Sequence, residues 1–504
     1  MTAPGHALPH RVSSSRQTEC SHETGNSVNG TDTRHIHMIG ICGTAMGAVA
    51  VLLKECGHHV TGSDEKAYPP MSTVLRDRSI SVMQGYRPEN LDPPPDLVVI
   101  GNAMSRGNEE VEATLERKLH YVSLAETLKE FFIRGKESLV VTGTHGKTTA
   151  SALLAWVLEN AGRSPGFMIG GIPENFGVGA RLGGGPFFVT EGDEYDTAFF
   201  DKRSKFLHYL PDCVIINNIE FDHADIFDSV EAIELSFSRM LNIVPQSGLV
   251  VANAGDVRVM RLTEKTWPPR VTFGLGAGAD WTARNLVEGG FGSQFDLVGP
   301  VGRIRCQLPL AGVHNVTNAL GVAAMASHIG LSLSEIAGGF AGFKGVRRRL
   351  QRLPSPDDIV LYDDFAHHPT AIAETLRALR ARHPGGRLWA LFEPRSNTTV
   401  RNIFQKELAS ALSGASVALI AKIHRQDKIP EKHRLDPEQL VADLRSSGLD
   451  AQYLPDPKAV QEYVVAHVRS GDVITLMSNG AFGGLAQTLP AALSRTSNAL
   501  GGGG

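Results

Sequence analysis

A chain of 504 residues is too long for one hydrophobic core and divides into about three domains. With 42% hydrophobic and 20% charged residues it has the balance of a folded globular enzyme, and a formal net charge of −4 argues against general nucleic-acid binding. No uninterrupted apolar run approaches the ~20 residues of a membrane span, so neither nucleic acid nor a membrane is expected as a partner.

Residues 1–33 are polar, rich in Ser, Thr and Gly, and lack the apolar stretch of a signal peptide; they read as a disordered tail. The five cysteines are scattered without CxxC spacing and read as free thiols in a reducing cytoplasm. From His35 to Gly40 the chain alternates as a strand. The turn Gly40-Ile41-Cys42-Gly43-Thr44-Ala45-Met46-Gly47 follows, then a helix to about Cys56. A second strand over His59–Thr61 leads to Asp64, which makes a βαβ opening with an acidic residue after the second strand, as in dinucleotide folds. The glycine spacing GxxGxxxG departs from GxGxxG, so the signal for NAD is weak. His35 and His37 fall on one face of what reads as an edge strand and are assigned to packing. Leu97–Ile100 is a further strand, and residues 34–134 read as a Rossmann-like first domain.

The second unit, residues 135–345, opens with the apolar strand Leu139–Thr142. Gly143-Thr144-His145-Gly146-Lys147-Thr148-Thr149 follows, and then an Ala- and Leu-rich helix. A glycine-bearing loop between strand and helix turns backbone N–H groups and a helix N-terminus toward one point, which is an anion cradle. Lys147 is expected to reach the β- and γ-phosphates of a nucleotide, and the Thr148 hydroxyl to hold Mg²⁺. The loop is short, because Val141 stands where the longer pattern has glycine. The strand Phe187–Glu191 delivers Glu191, Asp193, Glu194 and Asp196 to its carboxyl end, where open α/β sheets bind ligands and where Mg²⁺ needs hard oxygen atoms. The strand Val214–Asn217 likewise delivers Asn217, Glu220, Asp222 and His223. A meander of short strands over 291–310 precedes the helix that begins near Asn315.

The third unit, residues 346–490, starts with Arg347, Arg348 and Arg349, whose guanidinium forks suit a phosphate. It alternates strand and helix: Ile359–Tyr362 and a helix from Pro369, then the strands Leu388–Phe392, Val417–Ala421 and Val473–Met477. This is a doubly wound pattern. Asp363 and Asp364 sit at a strand end; His367 and His368 are adjacent and point apart, so they do not share a metal. Residues 491–504 read as a tail. The fold class is α/β in three domains, with a central P-loop domain between Rossmann-like and doubly wound partners.

The segments GTHGKTT, EGDE, EFDH, HNVTNA, the adjacent arginines and DDFAHHP occur in the order found in the Mur ligases of peptidoglycan synthesis, and from about residue 34 to 490 the chain resembles that family. The resemblance implies an ATP-dependent ligase that forms an amide bond through an acyl-phosphate. Stretches such as GICGTAMG, AFFDKRSKF, EPRSNT and MSNGAFGG resemble the recycling branch, which joins UDP-N-acetylmuramate to the recovered tripeptide L-alanyl-γ-D-glutamyl-meso-diaminopimelate. The alternative within the family is the L-alanine-adding enzyme; a distant alternative is an NAD-dependent oxidoreductase.

Carried over by position, the resemblance implies ATP and Mg²⁺ as cofactors. Gly143 to Thr149 would bind phosphate, with Thr148, Glu194 and His223 as Mg²⁺ ligands and Glu191 as the alternative to Glu194. Asn315 and Asn318 would face adenine, Asp364 the ribose and Arg349 the γ-phosphate. Gly40, Gly43, Gly47, Asp64 and Asn102 would lie at the UDP-sugar. Arg395 and the loop from Ser478 would grip the peptide, and His367 or His368 would be the base. Lys147, His223, Arg349 and His367 form the expected catalytic set. No lysine lies between Ala224 and Gln246, so the carbamoylated lysine of some relatives is missing there. A monomer or weak homodimer is expected.

Overall fold

The computed structural model describes residues 33–501 other than 68, 70, 357, 425, 427 and 428. The tail expected over 1–33 lies, save for residue 33, outside them. Five strands open the fold: β1 (His35–Ile39), β2 (His59–Asp64), β3 (Ser81–Gln84), β4 (Leu97–Ile100) and β5 (Tyr121–Ser123). They form a parallel sheet in the order β3-β2-β1-β4-β5. β1 is therefore central and not the edge strand its polar histidines suggest, because the crossover connections carry the chain outward on both sides of it. His37 is fully buried: Nε2 meets Glu110 Oε1 at 2.5 Å and Nδ1 meets Thr61 Oγ1 at 2.8 Å, so the packing assignment is met by satisfied polar groups.

The central sheet contains β6 (Glu137–Thr142), β7 (Gly166–Met168), β8 (Ala180–Arg181) and β9 (Phe187–Gly192). After the hairpin β10 (Asp196–Ala198) and β11 (Asp201–Ser204) come β12 (Cys213–Ile216), β13 (Leu249–Asn253) and β14 (Arg270–Phe273). The order is β14-β13-β12-β6-β9-β7-β8, parallel except for β8. Alternation divides β6 between two cores. Leu139 and Val141 pack with the helices Lys147–Asn160 and Val313–His328. Val140 joins a cluster that continues through Phe132 into the first sheet at Met38 and Val99.

The meander is a three-stranded antiparallel sheet of β15 (Thr282–Gly289), β16 (Gly292–Gly299) and β17 (Gly302–Leu308), beginning before the residue 291 expected from sequence. The third sheet runs β18 (Gln351–Leu353), β19 (Val360–Asp364), β20 (Leu388–Phe392), β21 (Val417–Ala421), β22 (Asp450–Leu454) and β23 (Val473–Met477), in the order β18-β19-β23-β20-β21-β22. Its last helix, Leu485–Gly501, continues past residue 490, where a tail was expected. Leu489 and Leu493, one turn apart, are buried against Trp389 and Leu391 and hold it there.

Candidate active site

β12, β6 and β9 are neighbours and parallel, with Thr142 opposite Ile216 on one side and Gly192 on the other. Their carboxyl ends therefore release the phosphate loop, the acidic segment and the Asn217–His223 segment at one edge of the sheet. Helix Val313–His328 brings Asn315 and Asn318 to the same edge, the end of β19 brings Asp364, and the loop after it His367. Together they line a cavity of about 530 Å³.

The loop needs its glycines. Gly143 and Gly146 have φ of +132° and +82°, and a Cβ at Gly146 would stand 2.5 Å from Asn318 Oδ1. Val141 is fully buried in the core, so the loop begins only at Gly143. Lys147 Nζ donates to the Gly143 carbonyl at 2.6 Å and to Glu194 Oε2 at 2.9 Å. His223 Nε2 meets the other oxygen of the same carboxylate at 3.0 Å. Thr148 donates to Glu191 Oε1 at 2.8 Å, and Arg349 donates to the Thr148 hydroxyl at 3.1 Å. Both acidic residues that the sequence offered are thus in the site, with different partners. Of the three arginines only Arg349 reaches the phosphate loop. Arg348 binds the carbonyls of Ser478 and Gly480, and Arg347 pairs with Glu174.

Burial and neighbouring charges shift these groups in different directions. Burial alone would lower the Lys147 ammonium pKa, but Glu194, Asp193 and Glu191 outweigh it and raise the pKa above the ordinary range. Burial acts the same way on His223, and the Glu194 hydrogen bond, its charge and Asp222 reverse it. Burial raises Asp364 despite Arg349, while its oxygens accept from Leu350 N at 2.6 Å and Ala366 N at 2.7 Å. Burial lowers His367, whose Nδ1 lies 3.0 Å from the Phe365 carbonyl; that carbonyl can only accept, so Nε2 is the basic nitrogen of the neutral ring.

The donor set fits a magnesium nucleotide. A threonine hydroxyl and two carboxylates offer a hard divalent cation oxygen ligands, with the His223 imidazole beside them, and Lys147 with Arg349 suits a polyphosphate. Asn217 Oδ1, on a cavity-lining residue, is buried without a hydrogen-bond partner.

The other expected residues lie elsewhere. Gly40, Gly43, Gly47, Asp64, Asn102, Arg395 and Ser478 do not line this cavity. Asp64 Oδ2 accepts from Cys42 N at 2.9 Å and shapes the glycine turn. Gly47 is buried, and a Cβ there would run into Met71. Ser478 is 1% exposed, its hydroxyl donating to Glu393 and accepting from Gly480 N, so it braces its loop rather than presenting a hydroxyl at the surface. Sequence reasoning missed Asn218, whose Oδ1 accepts from His145 N at 2.7 Å, and Tyr195, whose ring lies 3.9 Å from that of His223. The paired asparagines after β12 were the available signal for the first; nothing in the spacing marked the second.

Family models match along the chain: "Mur ligase family, catalytic domain" over residues 35–135, "Mur ligase middle domain" over 141–326 and "Mur ligase, glutamate ligase domain" over 348–480. The UDP-N-acetylmuramate–L-alanyl-γ-D-glutamyl-meso-2,6-diaminoheptandioate ligase of Escherichia coli (strain K12) is 43% identical over 468 residues, 92% of this chain and 99% of that protein. The UDP-N-acetylmuramate–L-alanine ligase of Dechloromonas aromatica (strain RCB) is 33% identical over 460 residues, 89% of this chain and 97% of that protein. Among solved structures, a murein peptide ligase from Psychrobacter arcticus 273-4 superposes with a TM-score of 0.69 at 36% identity, covering 91% of this chain and 98% of that one. With this cavity and these matches over all three units, the chain belongs to the Mur ligase family.

Proposed function

We propose that this protein is the ATP- and Mg²⁺-dependent ligase of peptidoglycan recycling, joining UDP-N-acetylmuramate to the salvaged tripeptide L-alanyl-γ-D-glutamyl-meso-diaminopimelate. The observation that carries the ligase reading is the convergence of the phosphate loop, Glu191, His223 and Arg349 on one cavity, with Glu194 buried behind Lys147 and His223. The choice of acceptor follows the relatives, since identity to the tripeptide-adding enzyme is 43% against 33% for the L-alanine-adding one. An oxidoreductase reading would leave the phosphate loop without a purpose.

ATP, held with Mg²⁺, supplies the phosphoryl group that activates the muramate carboxylate as an acyl-phosphate. Lys147 and Arg349 place two cations where negative charge grows during that transfer. Thr148, Glu194 and His223 would hold the metal, with Glu191 fixing the Thr148 hydroxyl. Asn315, Asn318 and Asp364 would face the nucleoside. His367 Nε2 is the basic atom suited to take the proton of the attacking amine. The third unit contributes Arg349, Asp364, His367 and Thr370 to the cavity lining, and its approach would keep water from the activated carboxylate. The first unit, with Gly40, Gly43, Gly47, Asp64 and Asn102, would receive the UDP-sugar, and Arg395 the peptide. The protein would work in the cytoplasm, as a monomer or weak homodimer.

Incubation with ATP, Mg²⁺ and UDP-N-acetylmuramate, plus either tripeptide or L-alanine, tests the reading by phosphate release and product mass. Product with tripeptide and little with L-alanine is expected. Product with L-alanine alone would assign the other branch, and no product with either would overturn the ligase reading.

A further inference from the structure

His367 and His368 diverge, as their adjacency requires. His368 nevertheless converges with two residues far from it in sequence. It caps the helix Pro369–Arg382 of the third unit, His145 lies in the phosphate loop and Glu220 follows β12. His145 Nε2 is 3.4 Å from Glu220 Oε2, and His368 Nδ1 is 3.7 Å from that same oxygen. One donor atom from each residue lies within 4.8 Å of the others. Nitrogen and oxygen ligands about 2.05 Å from a tetrahedral ion stand roughly 3.3 Å apart, so the cluster is near coordinating dimensions before any ion draws it in.

The surroundings are also those of ligands. His368 Nε2 lies 3.3 Å from the Phe221 carbonyl, which accepts only; its proton sits there and Nδ1 keeps its lone pair. That lone pair accepts from Thr370 N at 3.3 Å, a long bond that an ion would displace. Thr370 Oγ1 donates to Glu220 Oε2 at 2.7 Å and orients the carboxylate. Burial, together with His145, holds His368 down to about 4, and His145 and Thr370 help to hold Glu220 near 2 against the effect of burial. The His368 imidazole is neutral and the Glu220 carboxylate ionised at neutral pH, the forms that bind metal. His145 and Thr370 also line the cavity, which leaves room for a water as fourth ligand.

We propose that His145, Glu220 and His368 form a second cation site, for a divalent first-row transition ion such as zinc, that fastens the phosphate loop to the third unit. Two imidazoles and one carboxylate favour such an ion over magnesium, which prefers an all-oxygen shell. The site shares no residue with Thr148, Glu194 and His223. Because its ligands come from two units, an ion there stabilises the arrangement in which they meet.

The test titrates metal-free full-length protein with Zn²⁺ against a chromophoric chelator in excess Mg²⁺, repeats it with Co²⁺ by visible absorption, and records the melting temperature with and without Zn²⁺. Parent, H145N, H368N and H223N proteins are compared; binding elsewhere on the chain is common to all and cancels. Asn retains the helix cap at position 368, and H145N serves as an independent variant. The expected result is one Zn²⁺ equivalent weakened at least ~10-fold in both H145N and H368N and kept in H223N, with a Zn²⁺-induced rise in melting temperature that both lose. Equal affinity in the parent, H145N and H368N would overturn the proposal. So would loss in H223N alone, which would place the ion among the Thr148–Glu194–His223 set.

Discussion

Glu194 is 2% exposed and touches both the Lys147 ammonium and the His223 ring, so the buried Glu194–Lys147 ion pair depends on both partners. Removing one leaves a buried charge uncompensated. Lys147→Ala is therefore expected to lower kcat about 10³-fold and to destabilise the fold by about 3 kcal/mol, read by phosphate release and urea unfolding. Arg349 and Arg348 are neighbours with separate tasks. Arg349→Ala should cost about 10²-fold in kcat with the melting temperature nearly kept. Arg348→Ala should lower the melting temperature instead, because it removes the donor at 2.6 Å from the Ser478 and Gly480 carbonyls. His368 gives a pH signature. Its pKa falls from 6.5 unfolded to about 4 folded, first through burial and then through His145. Between those values the unfolded chain binds more protons than the folded one, so stability rises with pH across that window and falls as the solution is acidified. The contribution is on the order of 3 kcal/mol, and His368→Asn should flatten the dependence of unfolding free energy on pH from 6.5 down to 4. His223, whose pKa is raised, acts in the opposite sense and above 6.5.

At the scale of elements, the strand–loop–helix unit from β6 to Asn160 shows how local sequence makes a site. β-branched and apolar residues form the strand, two glycines take positive φ, and the helix offers its free N–H groups beyond them. Gly146→Ala tests this directly. A Cβ would meet Asn318 Oδ1 at 2.5 Å on a backbone of φ +82°, so a loss of about 1–3 kcal/mol in stability and weakened ATP binding are expected, by unfolding and nucleotide titration. Strands β20, β21 and β23 were legible to the residue because they are buried on both faces and read as continuous apolar runs. β22, Asp-Ala-Gln-Tyr-Leu, was not, since it lies at the sheet edge with only Ala451 fully buried. The capping Ser332 and Glu335 were overlooked in the same way, as a polar pair in a polar stretch.

Across the whole molecule, the third unit is fastened to the central one beside the cavity. Thr398 Oγ1 donates to Asp222 Oδ1 at 2.7 Å, and Asn397 donates to Asp225 Oδ2 at 2.7 Å. Thr398→Val removes a donor to a buried carboxylate at that junction. It should raise the KM for ATP several-fold and enlarge the radius of gyration measured by X-ray scattering without ligand, while each unit keeps its secondary structure by circular dichroism. The sequence by itself determined the α/β class, the phosphate loop and the strand ends that carry the acidic and histidine segments, because those features depend on residues close together in the chain. It also determined the family, through the order of its motifs. Only the tertiary structure decided that β1 is central, that Arg348 turns instead to the Ser478 and Gly480 carbonyls, and that Glu194 is shared by Lys147 and His223. It alone brought His145, Glu220 and His368 together. Each of these rests on strand order or on contact between units, which join residues tens to hundreds of positions apart and leave no periodic mark on the chain.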